Sequence, residues 1–268
     1  LLSYAGLARE ELSLTQKHYF YIEHGLVLGS YANRYNMGKA KLITTLSQIR
    51  KSYIDNLIHG VQTYSIGPYI HYSPSLLSDE DITSLRRKLG KVLLVIPSHS
   101  IGSVTAQFDE NSFISAIREK MVGFDTVIVC LYWKDIENGV DAIYLKEGFK
   151  VSTAGHRDDL NFLSRLKSLF LLASEVFTNN LGTHIAYGLH IGVPLSLYRQ
   201  EISYKEIQYF KSNHDILKND KNVSSAQSAR KEIEVALTAG DRTVLNRYFG
   251  LDQIKSPAEM RKLLLSIK

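Results

Sequence analysis

Two continuous aliphatic runs in the second half of the chain constrain its fold more than any other feature. Lys91–Ile96 and Thr126–Tyr132 are composed almost entirely of apolar residues, many of them β-branched. Such runs are typical of strands that are buried on both faces of a parallel sheet. Because strand and helix patterns continue to alternate as far as Tyr198, we expect an α/β fold with a doubly wound, mostly parallel sheet.

The periodicity assigns elements to this half of the chain. The predicted strands are Lys91–Ile96, Thr126–Tyr132, Lys150–Thr153, Val176–Thr178 and Val193–Tyr198, and the predicted helices are Glu110–Met121, Asp159–Ala173 and Ile185–His190. The apolar face of the longest helix comprises Leu160, Leu163, Leu166, Leu169 and Phe170. Asp135 and Asp141 are expected in a loop.

Ligands of such sheets bind at the carboxyl ends of the strands, where helix N-termini point their free amides. The loops expected there all carry polar groups: His99-Ser100, Trp133–Asp135, Gly155-His156-Arg157 and Asn179–His184. A ligand site is therefore predicted from these four loops.

The loop after the fourth strand has the chemistry of an anion site. Gly182 would let a ligand approach the backbone, and Thr183 with the first helical amides would hold a phosphate. The alternative is that Gly182 is only a turn residue and Thr183 only a helix cap.

Two other loops add candidate ligand groups. Arg157 offers a planar guanidinium fork for phosphate and His156 a ring that can stack or hydrogen-bond. Alternatively, Asp158 caps the helix and pairs with Arg157 on the surface. His99 ends the first strand and would face the same edge, unless it is only a satisfied polar residue.

The first half also alternates between strand and helix. Its predicted elements are strands at Tyr19–Glu23, Lys41–Leu46 and Val61–Ile66, a helix at Gln48–His59, and a connecting helix from the N-cap Ser78, with Asp81 in its first turn, to Leu89. We expect an N-terminal domain over residues 1–75, a Rossmann-like domain over 76–200 and a C-terminal helical segment over 201–268 that packs back on the domains. Since the first residue is not Met, we expect the N-terminal domain to be incomplete.

The C-terminal segment has its own expected elements. They are a helix-prone run at Tyr204–Phe210, a polar stretch at Asn213–Ser228, a helix at Ala229–Thr238, and a final helix within Leu251–Ile267 that begins at Ser256 and Pro257. An alternative to packing is that a basic amphipathic helix here touches a membrane.

Composition narrows the partners. The one cysteine, Cys130, gives no disulfide framework and fits a reducing compartment. The net charge of +5 is scattered among acidic residues, which argues against nucleic acid and suits an anionic partner such as a nucleotide diphosphate or a membrane face. No apolar run is long enough to span a membrane, and Leu1–Glu11 lacks signal-peptide zones, so a soluble, cytoplasmic protein is expected.

The sequence lacks the motifs of several enzyme classes. Histidines outside the candidate loops show no metal-ligand spacing, so no metal site is expected. No Gly-x-Gly-x-x-Gly, P-loop or Gly-x-Ser-x-Gly pattern occurs, which argues against dinucleotide oxidoreductases, P-loop enzymes and serine hydrolases.

The turn with Asn180, Gly182 and Thr183, followed by Gly192-Val193-Pro194, resembles the donor-binding domain of GT-B-type glycosyltransferases that build bacterial capsules and lipopolysaccharide. The resemblance covers roughly residues 91–199. It implies a GT-B-like fold of two Rossmann-like domains, the N-terminal one small or truncated, and a nucleotide-sugar donor with no cofactor and no metal. The acceptor would be a surface polysaccharide or lipid-linked glycan, reached at the inner face of the cell membrane.

The resemblance also implies residue roles. Glu23-His24-Gly25 is similar to the His-Gly site of polymerising glycerophosphotransferases, which makes His24 the candidate general base and Glu23 its catalytic neighbour. The implied donor-binding residues are His99, Ser100, His156, Arg157, Asn180, Gly182, Thr183 and His184. The chain departs from the family in lacking the usual donor-side Glu, since Glu175 precedes the predicted strand.

Two other functions are also compatible with this sequence. One is a sugar-nucleotide epimerase of the 2-epimerase type, which would act without an acceptor. The other is a non-catalytic nucleotide-binding or scaffold protein that has kept the fold and lost the chemistry.

Overall fold

The computed structural model describes residues 1–13, 19–100, 104–206 and 220–266. The chain forms two compact units. The first consists of Leu1–Ser73 together with His214–Lys268, and the second of Pro74–Asn213.

The first unit begins with a small α/β layer. Its elements are β1 (Phe20–Ile22), α1 (Arg34–Met37), β2 (Leu42–Thr45), α2 (Gln48–Leu57) and β3 (Gln62–Ser65). The three strands are parallel, with β2 in the middle and every residue of β2 buried. Ile43 of β2 packs with Ile54 of α2 and with Met37, so the apolar face of α2 covers the sheet.

The second unit contains the larger sheet. Its elements are α3 (Asp79–Leu89), β4 (Val92–Ile96), β5 (Val104–Gln107), α4 (Glu110–Lys120), β6 (Thr126–Leu131), α5 (Trp133–Glu137), α6 (Asp141–Lys146), β7 (Lys150–Thr153), α7 (Phe162–Leu172), β8 (Glu175–Thr178), α8 (Thr183–Ile191), β9 (Leu195–Leu197) and β10 (Ser203–Glu206). Five parallel strands run in the order β7-β6-β4-β8-β9. Counted along the chain this order is 3-2-1-4-5, which is the Rossmann order.

The aliphatic runs form the centre of this sheet. β4 is buried at every residue and has β6 on one side and β8 on the other. Leu93 and Val95 pack in one core with Phe113 of α4 and Tyr144 of α6. The prediction of a doubly wound parallel sheet is confirmed.

Two predictions between β6 and β8 are wrong. Asp135 and Asp141 lie in the short helices α5 and α6 rather than in a loop. Leu160 is 98% exposed, because α7 begins only at Phe162. The residues before α7 form turns. An ion pair between Arg165 Nη2 and Asp159 Oδ2, 2.8 Å apart, stabilises them.

A two-stranded antiparallel sheet is a feature that the sequence pattern did not predict. β5 pairs with β10, with Tyr204 opposite Ala106. The helix expected from Tyr204 is therefore wrong as far as Glu206, since a ladder with a distant strand overrides the local helix preference. Residues 207–210 of that prediction lie outside the described residues.

Three C-terminal helices belong to the first unit: α9 (Asp220–Ala239), α10 (Arg242–Phe249) and α11 (Pro257–Leu265). α10 contacts both α2 and α9. The predicted polar stretch is helical from Asp220 onwards, and residues 213–219 are outside the described part. α11 begins with the predicted capping box, in which the Ser256 hydroxyl accepts from the Glu259 amide. None of the helices in the described parts of the chain is long and apolar enough to cross a bilayer.

Candidate functional site

The strand order of the second unit changes direction between β4 and β8. In open α/β sheets, the crevice at the carboxyl ends of two such strands is where ligands bind. The loop after β4 contains Ser98, His99 and Ser100, and the loop after β8 contains Asn179 and Asn180. We call this place the switch point.

Ser98 and Asn179 join the two loops at the switch point. The Ser98 amide donates to Asn179 Oδ1 at 2.7 Å, which fixes the orientation of the side-chain amide. Asn179 Nδ2 and Ser98 Oγ are buried and have no hydrogen-bond partner among the described residues. A buried donor without an acceptor costs about 1–3 kcal/mol, so these two groups are suited to an oxygen-bearing ligand.

His184, in the first turn of α8, is held against its own loop. Its Nε2 lies 3.0 Å from Thr178 Oγ1. Burial, chiefly, and the neighbouring His99 lower the pKa of His184 to about 3, while a hydrogen bond with the Asn180 backbone opposes the shift. The ring is therefore neutral near pH 7.

Gly182 makes room for this histidine. A Cβ on Gly182 would lie 2.8 Å from His184 Nδ1, so the space that the sequence analysis reserved for a ligand is taken by the imidazole. Gly182 is the N-cap of α8 and offers no side-chain cap, and Thr183 is the first helical residue. The first-turn amides of α8 thus form the positive end of a nine-residue helix at the switch point.

His99 and Ser100 differ in exposure. His99 keeps contact with solvent, and its ring centroid lies 5.2 Å from that of Tyr132. Desolvation by the surrounding protein lowers the pKa of His99, and the nearby Asp135 carboxylate partly offsets this. Ser100 is buried, its amide donates to Asp135 Oδ1 at 3.2 Å, and its hydroxyl accepts from the Ala106 amide at 3.3 Å. These bonds anchor the loop to α5 and β5.

Asn180 connects the switch point to the antiparallel pair. Its Nδ2 donates to the Tyr204 hydroxyl of β10 at 2.9 Å. The unpredicted strand β10 therefore lies beside the loop that follows β8.

His156 and Arg157 lie at the end of β7, and both are exposed. The Arg157 Nε is 3.7 Å from the Asp158 carboxylate, and the Asp158 amide donates to His156 Nδ1 at 3.1 Å. The surface pair of the alternative interpretation is present, but Asp158 does not cap the helix, because α7 begins at Phe162 with Asn161 as its N-cap. The His156 ring also contacts Trp133, with 5.1 Å between centroids.

In the first unit, Glu23 is buried in a bidentate ion pair with Arg50. The Arg50 Nε donates to Glu23 Oε1 at 2.8 Å, and the Thr45 hydroxyl donates to Oε2 at 2.6 Å. The next residue, His24, is exposed, and Gly25 has a φ of +79°, which favours glycine. The geometry therefore places Glu23 inside the fold and His24 on its surface.

A cavity of about 160 Å³ follows His24 along the chain. It is lined by residues 26–29, by Arg50 and Tyr53 of α2, and by Ser225 and Tyr248 of the C-terminal helices. The cavity lies entirely within the first unit, at the carboxyl ends of β1 and β2.

Glu175 lies away from the switch point. It is the first residue of β8, at the amino end of the strand, and its carboxylate is 2.6 Å from Lys120 Nζ. Within the described ranges, no three or more His, Cys, Asp or Glu side chains are grouped so as to hold a metal ion.

Ser98, Asn179 and Trp133 were not predicted as individual site residues, although Trp133 and Asn179 lie in two of the predicted ligand loops. All three stand at the ends of β4, β8 and β6, so position was a usable signal. The choice between Asn179 and its neighbour Asn180 depends on which side chain is buried, and burial is a tertiary property.

No protein-family model matches the sequence, and a comparison with curated proteins finds no match. Among solved structures, the wall teichoic acid polymerase TagF is similar over 96% of this chain and 70% of its own, with 15% identity and a TM-score of 0.49. A second structure of TagF is similar over 90% of this chain and 66% of its own, with 12% identity and a TM-score of 0.48. The chain therefore spans about two thirds of the length of these structures.

Two further structures have lower scores. A UDP-forming α,α-trehalose-phosphate synthase from Burkholderia xenovorans is similar over 92% of this chain and 68% of its own, with 11% identity and a TM-score of 0.38. The UDP-GlcNAc 2-epimerase from Neisseria meningitidis is similar over 87% and 62%, with 12% identity and a TM-score of 0.37.

The strand order itself defines the class of protein. The second unit has the Rossmann order, and the first unit has three parallel strands that alternate with helices. The second unit is therefore a Rossmann-like α/β unit with the doubly wound parallel sheet that the sequence predicted, and the first unit is a smaller parallel α/β layer.

Proposed function

We propose that the chain is a glycosyltransferase that binds a nucleotide-sugar at the switch point and transfers the sugar to a surface polysaccharide or lipid-linked glycan. The observation that carries the proposal is the pair of buried, unpartnered groups, Asn179 Nδ2 and Ser98 Oγ, beside the N-terminus of α8. Hydrogen-bond donors and a helix N-terminus together suit a phosphate.

The donor's phosphates would bind the first-turn amides and the Thr183 hydroxyl, with Arg157 as an exposed cation at the same sheet edge. His184 is neutral and bonded within its loop, so we propose that it positions the loop rather than supplying charge. His99, His156 and Asn180 would line the pocket, and Ser100 would hold the β4 loop in place.

In the transfer step, an acceptor hydroxyl oxygen bonds to the anomeric carbon of the donor sugar. The bond from that carbon to the phosphate oxygen breaks, and the nucleotide leaves with the electron pair. We propose His24 as the base that takes the hydroxyl proton, with Glu23 and Arg50 fixing the end of β1 that carries it. The positive groups at the switch point stabilise the leaving phosphate without a metal ion.

Acceptor binding is proposed for the first unit. The cavity after His24 offers apolar walls and hydroxyl groups close to the proposed base in the chain. A lipid-linked acceptor would bring the protein to the inner face of the cell membrane, where the net charge of +5 favours anionic lipid.

The proposal is tested first by binding. Wild-type chain is titrated with UDP-, GDP-, CDP- and CMP-linked sugars by calorimetry and thermal shift, since a ligand that binds only the native state raises Tm. In Asn179→Asp the Oδ1 acceptor for Ser98 is kept, but the donor becomes an acceptor. We expect the affinity for the bound donor to fall about 100-fold, because a carboxylate repels phosphate.

The control is Asn161→Asp, the same substitution at an exposed site of the second unit, which should bind as wild type. Product formation is then followed with acceptor present and absent. His24→Ala should abolish transfer and keep donor affinity. Binding of no nucleotide-sugar would refute the proposal, and turnover of the donor alone with epimerised product would favour the epimerase.

A further inference from the structure

Four aromatic rings follow three neighbouring strands of the second unit. His99 comes after β4, Tyr132 and Trp133 after β6, and His156 after β7. Their centroids are separated by 5.2 Å, 5.9 Å and 5.1 Å in that order. We call these four residues the aromatic row, and it runs along the carboxyl edge of the sheet away from the switch point.

None of the three contacts in the aromatic row is a parallel stack. The interplanar angles are 51°, 62° and 56°, so the rings fix one another by tilted and edge contacts. Trp133 is only partly buried, and no other ring of the row lies flat on its face. The indole therefore has a defined orientation, and part of its surface is open to solvent.

The environment of the Trp133 indole differs from that of a packing residue. Its Nε1 is buried and has no partner among the described residues, whereas buried indoles usually find an acceptor. Lys134 Nζ lies 5.5 Å from the ring centroid and 3.0 Å from the Glu137 carboxylate, and Arg157 is exposed next to His156. An unsatisfied polar group in a native protein is one mark of a functional site, and a partly exposed indole suits a ligand with a planar part.

We propose that Trp133 is the stacking surface for the nucleobase of the ligand whose phosphates bind at the switch point. The inference rests on the proposed function. β6 and β8 are two strand spacings apart, about 10 Å, with β4 between them. The base would therefore lie on one side of β4, near β6, and the α8 N-terminus with the phosphates on the other side, near β8. The transferred sugar would stay next to the phosphates.

Trp133 is the only tryptophan of the chain, so its fluorescence reports directly on this site. The protein is titrated with UDP, GDP, CDP and ADP, and with inorganic pyrophosphate, which has no base. We expect the nucleotide that binds in calorimetry to quench the emission with the same Kd, and pyrophosphate to bind without quenching.

Two variants complete the test. Trp133→Ala should weaken binding of that nucleotide tenfold or more and leave pyrophosphate binding unchanged, since base–aromatic stacking is worth about that much. Trp133→Phe keeps a ring and should stay within about threefold of wild type. Leu160→Ala, at a 98% exposed position of the same unit, is the control for substitution as such.

The outcomes separate the two proposals. If a nucleotide binds but Trp133→Ala binds it as tightly as wild type, or the emission does not respond, the stacking role is refuted and the nucleotide site stands. If neither nucleotide nor pyrophosphate binds the wild type, both proposals are refuted. If only sugar-linked nucleotides quench the emission, the ring contacts the sugar and the base assignment is wrong.

Discussion

His184 shows how one residue at the switch point depends on its surroundings. It follows a strand that the sequence identified, and its type suggested contact with a ligand. In the structure its ring fills the space beside Gly182 and bonds to Thr178, and burial lowers its pKa to about 3. The sequence predicted that the histidine follows the fourth strand of the sheet, and packing decided that its ring is neutral near pH 7.

This pKa predicts how the stability of the protein depends on pH. In the unfolded chain His184 binds a proton near pH 6.5, and in the folded chain only near pH 3. Between these values the unfolded state holds more protons, so the free energy of unfolding decreases as the pH falls, by up to about 1.4 kcal/mol per pH unit. His184→Gln should flatten this slope in urea unfolding between pH 7 and pH 4.

The matched control is His156→Gln, the same substitution at an exposed ring of the second unit. Identical slopes for wild type and His184→Gln would contradict the assignment of the pH dependence to His184.

At the level of elements, α10 is one of the helices that were not predicted from the sequence. Its signals were present: Asp241 caps it by accepting from the Thr243 and Val244 amides, and it ends at Gly250 in a left-handed conformation. A helix of eight residues shows little hydrophobic periodicity, so the sequence pattern is weak. Its packing against α2 is seen only in the tertiary structure. The prediction at β10 was wrong for the opposite reason. The local sequence favours a helix, but pairing with β5 makes this segment a strand.

The end of α10 gives a prediction for glycine. A Cβ on Gly250 would lie 2.0 Å from the Leu46 carbonyl oxygen, and its φ is +61°. Gly250→Ala should destabilise the protein by about 2–4 kcal/mol, from backbone strain and overpacking together. Gly240 has a φ of +68° and open space around its Cβ position.

Gly240→Ala is therefore the matched control, with strain alone and a loss of about 1 kcal/mol. The measurement is the midpoint of denaturant unfolding for both variants. Equal losses of stability in the two variants would show that the close approach to Leu46 adds no cost to a side chain at position 250.

At the scale of the whole molecule, each unit has a core of its own. Phe249 of α10 is fully buried in the first unit, and Phe113 of α4 in the second. The first unit is assembled from both ends of the chain, so the C-terminal helices contribute to the fold of β1 to β3. Separate cores permit separate opening of the two units.

We expect Phe249→Ala to cost about 3–5 kcal/mol and to speed hydrogen exchange in β1, β2 and β3 while sparing β4, β6 and β8. Phe113→Ala should give the reverse pattern. Amide hydrogen exchange, resolved by segment, measures the pattern in each variant. Faster exchange throughout the chain in either variant would contradict independent cores.

The sequence by itself determined the features that depend on near neighbours. The aliphatic runs of β4 and β6 predicted central buried strands, and Ser78 and Ser256 cap the helices that they were expected to begin. Capping and burial patterns act within a few residues, so they can be seen in the chain alone.

Only the tertiary structure decided which distant residues meet. Glu23 pairs with Arg50, Ser98 with Asn179, β5 with β10, and the C-terminal helices with the first unit. No local pattern encodes these partners, because the free energy of each contact is realised only once packing has brought the two segments together. The strand ends of the candidate site were therefore predictable, and the buried groups that would hold its ligand were not.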